Sequence, residues 1–152
     1  IFLSSKCKFF VSSDCGISTL PEVFKVPIVY VNKTMLFAMH RWSYKSIFIF
    51  KKFYSLKEDR YLKFDEIMKL KIGHRDNNVY LKEMNIEVHN NTSEEIMCAS
   101  IEMDDFIDGR LNYSYYDNKI QRLFWNIFKP NDLRPNFFRI GKDYIRNNKS
   151  LL

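Results

Sequence analysis

The sequence predicts an α/β domain built on a parallel sheet, and three observations carry that prediction. Phe9-Phe10-Val11 and Ile28-Val29-Tyr30-Val31 are short continuous apolar runs rich in β-branched and aromatic residues, the pattern of strands covered on both faces. Between them Ile17, Leu20, Val23 and Phe24 recur at helical spacing. A tight polar turn, Ser12-Ser13-Asp14-Cys15-Gly16, separates the first strand from that helix. Strand, turn, helix and strand then follow in the order that parallel neighbours require.

In chain order, Pro21 falls in the first turn or so of the helix, where a missing N–H does least harm. Residues 33–45 read as an irregular loop that contains His40 and Arg41, and Ile47-Phe48-Ile49-Phe50 as a third strand. Phe64, Ile67, Met68, Leu70 and Ile72 mark a short amphipathic helix that Gly73 ends, followed by a polar loop from His74 to Asn78. Ile86-Glu87-Val88 alternates and predicts a short or edge strand. Thr92 and Glu95 have capping-box spacing; Ile96, Ala99, Met103, Phe106 and Ile107 form the apolar stripe of the helix they open, and Gly109 ends it. Asp104 and Asp105 diverge by about 100° on that helix and would not chelate one ion, so the helix reads as structural. A further helix is expected over Lys119–Phe128, with Ile120, Leu123, Phe124, Ile127 and Phe128 apolar and Pro130 as its stop. Phe137 to Gly141 leads into a last short helix around Lys142–Arg146.

The 152 residues suit one domain, 1–152, with residues 110–152 as its C-terminal helical segment. The chain begins at Ile1 almost directly on a strand, and reads as a fragment. No apolar run approaches the ~20 residues of a membrane span, and Ser4, Ser5, Lys6 and Lys8 interrupt any signal peptide. Cys7, Cys15 and Cys98 are odd in number and hold no CxxC pair. A disulfide framework or zinc site is therefore disfavoured, and a reducing, cytoplasmic compartment fits better. The net charge of +6 comes from lysines and arginines scattered among acidic residues. A nucleic-acid partner needs a concentrated basic stripe with stacking aromatics, and none is found. P-loop, G-x-G-x-x-G, H-E-x-x-H and G-x-S-x-G motifs are absent.

The turn after the first strand is the candidate site. Unpaired N–H groups at a helix start, together with the helix dipole, favour an anion, and Ser12, Ser13 and Ser18 offer hydroxyl donors. Gly16 stands where the sharp turn favours a residue without Cβ. An ordinary crossover whose small polar residues only cap a helix shares this pattern, so the local residues leave both readings open. Asn32, at the end of the second strand, reads equally as a ligand neighbour and as a turn residue.

Asp14-Cys15-Gly16, a helix, and Pro27 opening an apolar strand resemble the Asp-Ser/Thr-Gly…Pro block of bacterial GT-B-type, heptosyltransferase-like glycosyltransferases. Ser13-Asp14-Cys15-Gly16-Ile17-Ser18 with Pro27-Ile28-Val29-Tyr30-Val31-Asn32 is more closely similar to a glycosyltransferase family of surface-polysaccharide loci. Trp42-Ser43, Ile49-Phe50-Lys51-Lys52, Phe64-Asp65-Glu66-Ile67, Asn91-Thr92-Ser93-Glu94-Glu95-Ile96, Glu102-Met103 and Arg139-Ile140-Gly141-Lys142-Asp143-Tyr144-Ile145 agree with it in order along nearly the whole chain.

The resemblance implies a Rossmann-like three-layer domain, the C-terminal half of a GT-B fold, ending in several helices. It implies a nucleotide-activated sugar whose diphosphate sits at Ser12, Ser13, Asp14, Cys15, Gly16, Ile17 and Ser18, with Asn32 nearby and no metal or cofactor required. The acceptor domain, with the base that activates the acceptor, would precede this chain. A cytoplasmic location with peripheral contact at the inner face of the membrane is the matching expectation. Two departures stand out: the family's ribose-binding Glu falls on Leu20, with Glu22 close by, and the heptosyltransferase-like His falls on Thr19. In the family position of Cys15 a small residue such as Ser is usual, so Cys15 reads as a steric stand-in rather than a reactive thiol. The alternative function is a non-catalytic α/β module that binds a phosphorylated ligand or a partner chain.

Overall fold

The computed structural model describes residues 1–13, 15–34, 36, 45–72, 78–127 and 138–152, without the side chains of Asn78 and Phe138. The architecture is α/β. Four strands, β1 (Phe10–Ser12), β2 (Ile28–Lys33), β3 (Ser46–Phe50) and β7 (Phe138–Ile140), form a parallel sheet in the order β1-β2-β3-β7. This arrangement is compatible with a Rossmann-like domain. Three more strands, β4 (Lys52–Ser55), β5 (Arg60–Tyr61) and β6 (Ile86–His89), form an antiparallel sheet in the order β5-β4-β6.

The apolar runs of β2 and β3 are buried on both faces, as their composition requires. β1 differs from expectation: among the described residues it pairs only with β2, and Val11 is 43% exposed. Before it, α1 (Phe2–Lys6) is a short helix that the sequence did not suggest. The crossover from β1 to β2 is a 3₁₀ turn, Gly16–Ser18, that runs into α2 (Thr19–Val23). Its expected apolar face is turned outward. Ile17, Val23 and Phe24 are exposed, while Ser18, Pro21 and Glu22 are buried. The Tyr30 hydroxyl of β2 donates to the Glu22 carboxylate, and this buried bond selects the polar face. Lys25, with φ 56°, closes the helix through Lys25 N–H to Glu22 C=O and Val26 N–H to Pro21 C=O.

Lys52, Tyr54 and Glu87 break the apolar pattern of the second sheet, so β4 and β5 escape a reading by runs. Phe53 and Ser55 alternate inward, and Tyr54 lies outward. β6 is an edge strand, as its alternation predicts. α3 (Phe64–Lys69) ends sooner than Gly73, which lies outside the described residues: Lys71 takes φ 53°, and Ile72 N–H bonds back to Ile67 C=O. α4 (Asn78–Glu83) begins at the last residue of the expected polar loop, the rest of which lies outside the described residues.

α5 (Ser93–Ile107) has the capping box of Thr92 and Glu95 and ends at Gly109, φ 71°, as its spacing predicts. It packs across β2 and β3, with Ala99 and Met103 buried. α6 (Tyr115–Trp125) starts four residues before Lys119, because Ser114 and Asp117 form a second capping box. Leu123 is exposed, whereas Gln121 takes a buried place beside Ile120 and Phe124. Phe128 and Pro130 lie outside the described residues. The segment before α7 (Lys142–Asn147) is a sheet strand, β7, paired with β3, rather than a simple lead-in. The core closes on edge-to-face and tilted ring contacts of Phe48, Phe50, Phe64, Phe124 and Trp125. Full burial of each such ring contributes roughly 1.5–3 kcal/mol.

Candidate functional site

Because β1, β2, β3 and β7 are parallel, their carboxyl ends share one edge of the sheet, where open α/β sheets hold ligands. The described strand order runs without reversal, so these four strands alone do not form a switch-point crevice.

At the end of β1, Cys15 is extended, with φ −144° and ψ 162°, and caps the turn into α2. Ser18 N–H and Ser18 Oγ both donate to the Cys15 carbonyl, at 3.0 and 2.7 Å. Thr19 Oγ1 donates to Gly16 C=O at 2.7 Å, and Ser12 Oγ donates to Ser13 C=O at 2.8 Å. A tight turn leaves carbonyls without sheet or helix partners, and short hydroxyl side chains satisfy them. The Ser12 and Ser18 hydroxyls are thus engaged within the loop, and both residues are buried. Ser13, Cys15, Gly16 and Ile17 are exposed. Asp14 lies outside the described residues, as do His40 and Arg41.

The Cys15 thiol is held below the usual range, chiefly by the Ser12 hydroxyl, 3.4 Å from Sγ. Desolvation opposes this shift. The N–H groups of Ile17 and Ser18 add smaller favourable contributions, although Cys15 makes no cap hydrogen bond through its side chain. The shift is local to the thiol, because Ser12 Oγ–H and Ser18 N–H are already donated to Ser13 C=O and Cys15 C=O. Gly16 does not match its expected role: a Cβ there would meet nothing within 4 Å, and its φ lies outside the left-handed region. The turn itself does not require glycine.

Asn32 has φ 52°, a left-handed conformation that Asn tolerates. Its N–H donates to Asn91 Oδ1 at 2.6 Å, and Asn91 N–H donates to Asn32 Oδ1 at 2.7 Å. Asn91 Nδ2 donates to Phe50 C=O at 2.7 Å. One buried asparagine thus ties the carboxyl ends of β2 and β3 to the start of α5. Lys52 pairs with Glu95 at 2.9 Å, with both side chains largely buried, so it serves the same junction.

The glycine that packing does require is Gly141, between β7 and α7. A Cβ there would stand 2.9 Å from Ile49 Cγ2 and 3.7 Å from Glu102 Oε2. Glu102 reaches from α5 to accept Lys142 N–H at 2.7 Å and the Tyr113 hydroxyl at 2.9 Å. The positive end of α7 is therefore met by the protein's own carboxylate. Sequence reasoning missed this pair, although a lone acid beside Ala99 and Met103 on the α5 stripe was its signal. Gly141→Ala is expected to cost about 1–3 kcal/mol, as overpacking does. Urea denaturation checks this.

Among the described residues, no group of three or more His, Cys, Asp or Glu is placed to hold a metal ion. No described helix is long and apolar enough to cross a membrane. Compared with protein-family models, curated proteins and solved structures, the chain matches none.

Proposed function

We propose that the chain is the donor-binding, C-terminal portion of a GT-B-type glycosyltransferase of surface-polysaccharide synthesis, with the diphosphate of a nucleotide-activated sugar at Ser13–Ile17. One observation carries this reading. The turn of Ser13, Cys15, Gly16 and Ile17 is exposed at the carboxyl end of parallel strand β1 and leads into a helix start. These exposed residues, at the entry to a helix, would meet the diphosphate as it is displaced from the anomeric carbon. Asn32, anchored by Asn91, fixes the end of β2 beside that corner. The acceptor and its activating base belong to a preceding domain, and the complete enzyme works in the cytoplasm at the inner face of the membrane.

A second reading, a non-catalytic module that docks a partner, has its own support in the exposed Ile1, Phe2, Leu3, Val23 and Phe24 of α1, α2 and their flanks. Hydrolysis or transfer of a nucleotide sugar by the full-length protein separates the two.

Gly16→Val tests the seat itself. Its side chain would enter open space, so thermal unfolding should be unchanged, while calorimetry should show at least about tenfold weaker binding of a nucleoside diphosphate, ~1.4 kcal/mol. Unchanged affinity in the folded variant removes the seat from this corner.

A further inference from the structure

The outward face of the antiparallel sheet carries a second cluster that the donor seat does not use. Cross-strand pairing sets Tyr54 opposite both Tyr61 and Glu87, and Lys52 opposite His89. Phe53, Ser55 and Ile86 point the other way, into the core. The Tyr54 and His89 rings stack at 5.7 Å and 13°, and Tyr61 stands edge-on to both, at 5.2 and 5.6 Å. The array is held in place by its own polar atoms. The Tyr61 hydroxyl meets His89 Nδ1 at 2.9 Å, and the Tyr54 hydroxyl donates to Asp59. The side chain of His89 remains 40% exposed and that of Glu87 55%.

We propose that this face binds the pyranose rings of a neutral glycan. The C–H face of a sugar is apolar and flat, and suits a half-exposed ring array; its hydroxyls donate to carboxylates. Asp59 and Glu87 supply the acceptors; Glu87 also meets His89 Nε2 at 3.4 Å, and neither meets a lysine or arginine among the described residues. Those carboxylates oppose a polyanion such as nucleic acid. Lys52 Nζ already lies 5.9 Å from the Tyr61 centroid, so the array has a cation of its own. β4 follows β3 after Lys51, so the face is anchored at the carboxyl edge of the parallel sheet. β1 lies two strands from β3 in that sheet, about 10 Å at usual strand spacing. A role for this glycan as acceptor would rest on the transferase reading; the binding itself does not.

Aromatic-ring NMR of the whole chain, titrated with maltotriose, cellotriose and chitotriose and without nucleotide, tests the assignment. At least one of these sugars should shift the Tyr54, Tyr61 and His89 ring signals saturably. Tyr61→Ala should weaken that binding about tenfold or more, and Tyr61→Phe should retain most of it. Should Tyr61→Ala fail to fold, the exposed Glu87→Gln serves instead, with an expected loss of about threefold. Silence toward all three sugars, unchanged affinity in the folded variants, or a response to tetramethylammonium alone overturns the proposal. Sugar binding that persists when nucleoside diphosphates do not bind would overturn the donor seat and leave this face standing.

Discussion

Asn91→Ala is expected to lower the stability of the domain by about 2–4 kcal/mol. The side chain is buried and serves three backbone or side-chain partners: Asn32 N–H, Phe50 C=O and, at 3.4 Å, the Glu95 carboxylate. Truncation leaves the Asn32 N–H without its acceptor, and a buried orphan of this kind costs about 1–3 kcal/mol. The Phe50 carbonyl suffers less, because the Tyr144 hydroxyl still donates to it at 3.0 Å. The bond from the residue 91 backbone N–H to Asn32 Oδ1 survives the truncation, so Asn32 keeps one of its two ties at φ 52°. Asn91→Asp makes the useful contrast: it keeps the acceptor but loses the amide donor and places a second carboxylate beside Glu95. Denaturant unfolding at neutral pH should rank wild type above both. A loss below about 0.5 kcal/mol in the alanine variant would show that this junction does not hold the strand ends.

Glu102→Gln is expected to stabilise the protein above neutrality and to flatten its pH profile. Burial raises the Glu102 carboxyl from 4.5 to about 7; the Lys142 N–H, the Tyr113 hydroxyl and the Lys142 charge oppose that rise, and Asp143 adds to it. Arg139, 3.6 Å over the Tyr113 ring, is the other charge at the cluster. Between pH 4.5 and about 7 the native state holds a proton that the unfolded chain releases. The contribution of Glu102 to stability is therefore complete below 4.5, falls as pH rises through about 7, and is then flat. The full loss is about 3 kcal/mol. Glutamine can accept from Lys142 N–H and donate to the Tyr113 oxygen without ionising. The variant should match wild type near pH 4.5 and exceed it by about 2–3 kcal/mol at pH 8. Glu66, pulled down to about 2 chiefly by the Arg60 guanidinium, works in the opposite direction. Its stability is present above 4.5 and declines only as pH falls toward about 2, outside the window in which Glu102 titrates. Parallel profiles for wild type and Glu102→Gln would remove the carboxyl as their source.

The legible part of the fold is the part in which one residue pattern has one physical outcome. β2 and β3 are unbroken apolar runs because both faces are covered, and α5 carries a capping box at one end and a glycine at the other. β7 was hidden for two reasons: it has only three residues with Arg139 in the middle, and its partner, β3, lies about ninety positions away. Helix ends at Lys25 and Lys71 were illegible since a lysine takes the left-handed position usually given to glycine. The spacing of Ile17, Leu20, Val23 and Phe24 marks the helical segment made by the 3₁₀ turn and α2. The buried face was decided by a bond from Tyr30 to Glu22 that no periodicity reports.

The candidate site divides in the same way. The turn and its place at a strand's carboxyl end were in the sequence; its exposure was not. The inward use of the Ser12 and Ser18 hydroxyls was not, because it depends on which carbonyls the turn leaves free. Nor could spacing join Asn32 to Asn91, 59 positions apart. Two glycines exchanged roles: Gly16 faces open space, and Gly141 is the tightly packed one.

Alkylation of Cys15 is the most direct measurement of whether the β1–α2 corner seats a diphosphate, because that thiol is exposed while Cys7 and Cys98 are half-buried. Uridine, guanosine, adenosine or thymidine diphosphate, at least one of the four, should slow the reaction of Cys15 with iodoacetamide saturably, by about tenfold at full occupancy, and leave Cys7 unchanged. Equal Cys15 rates with and without every one of these nucleotides would contradict the donor seat.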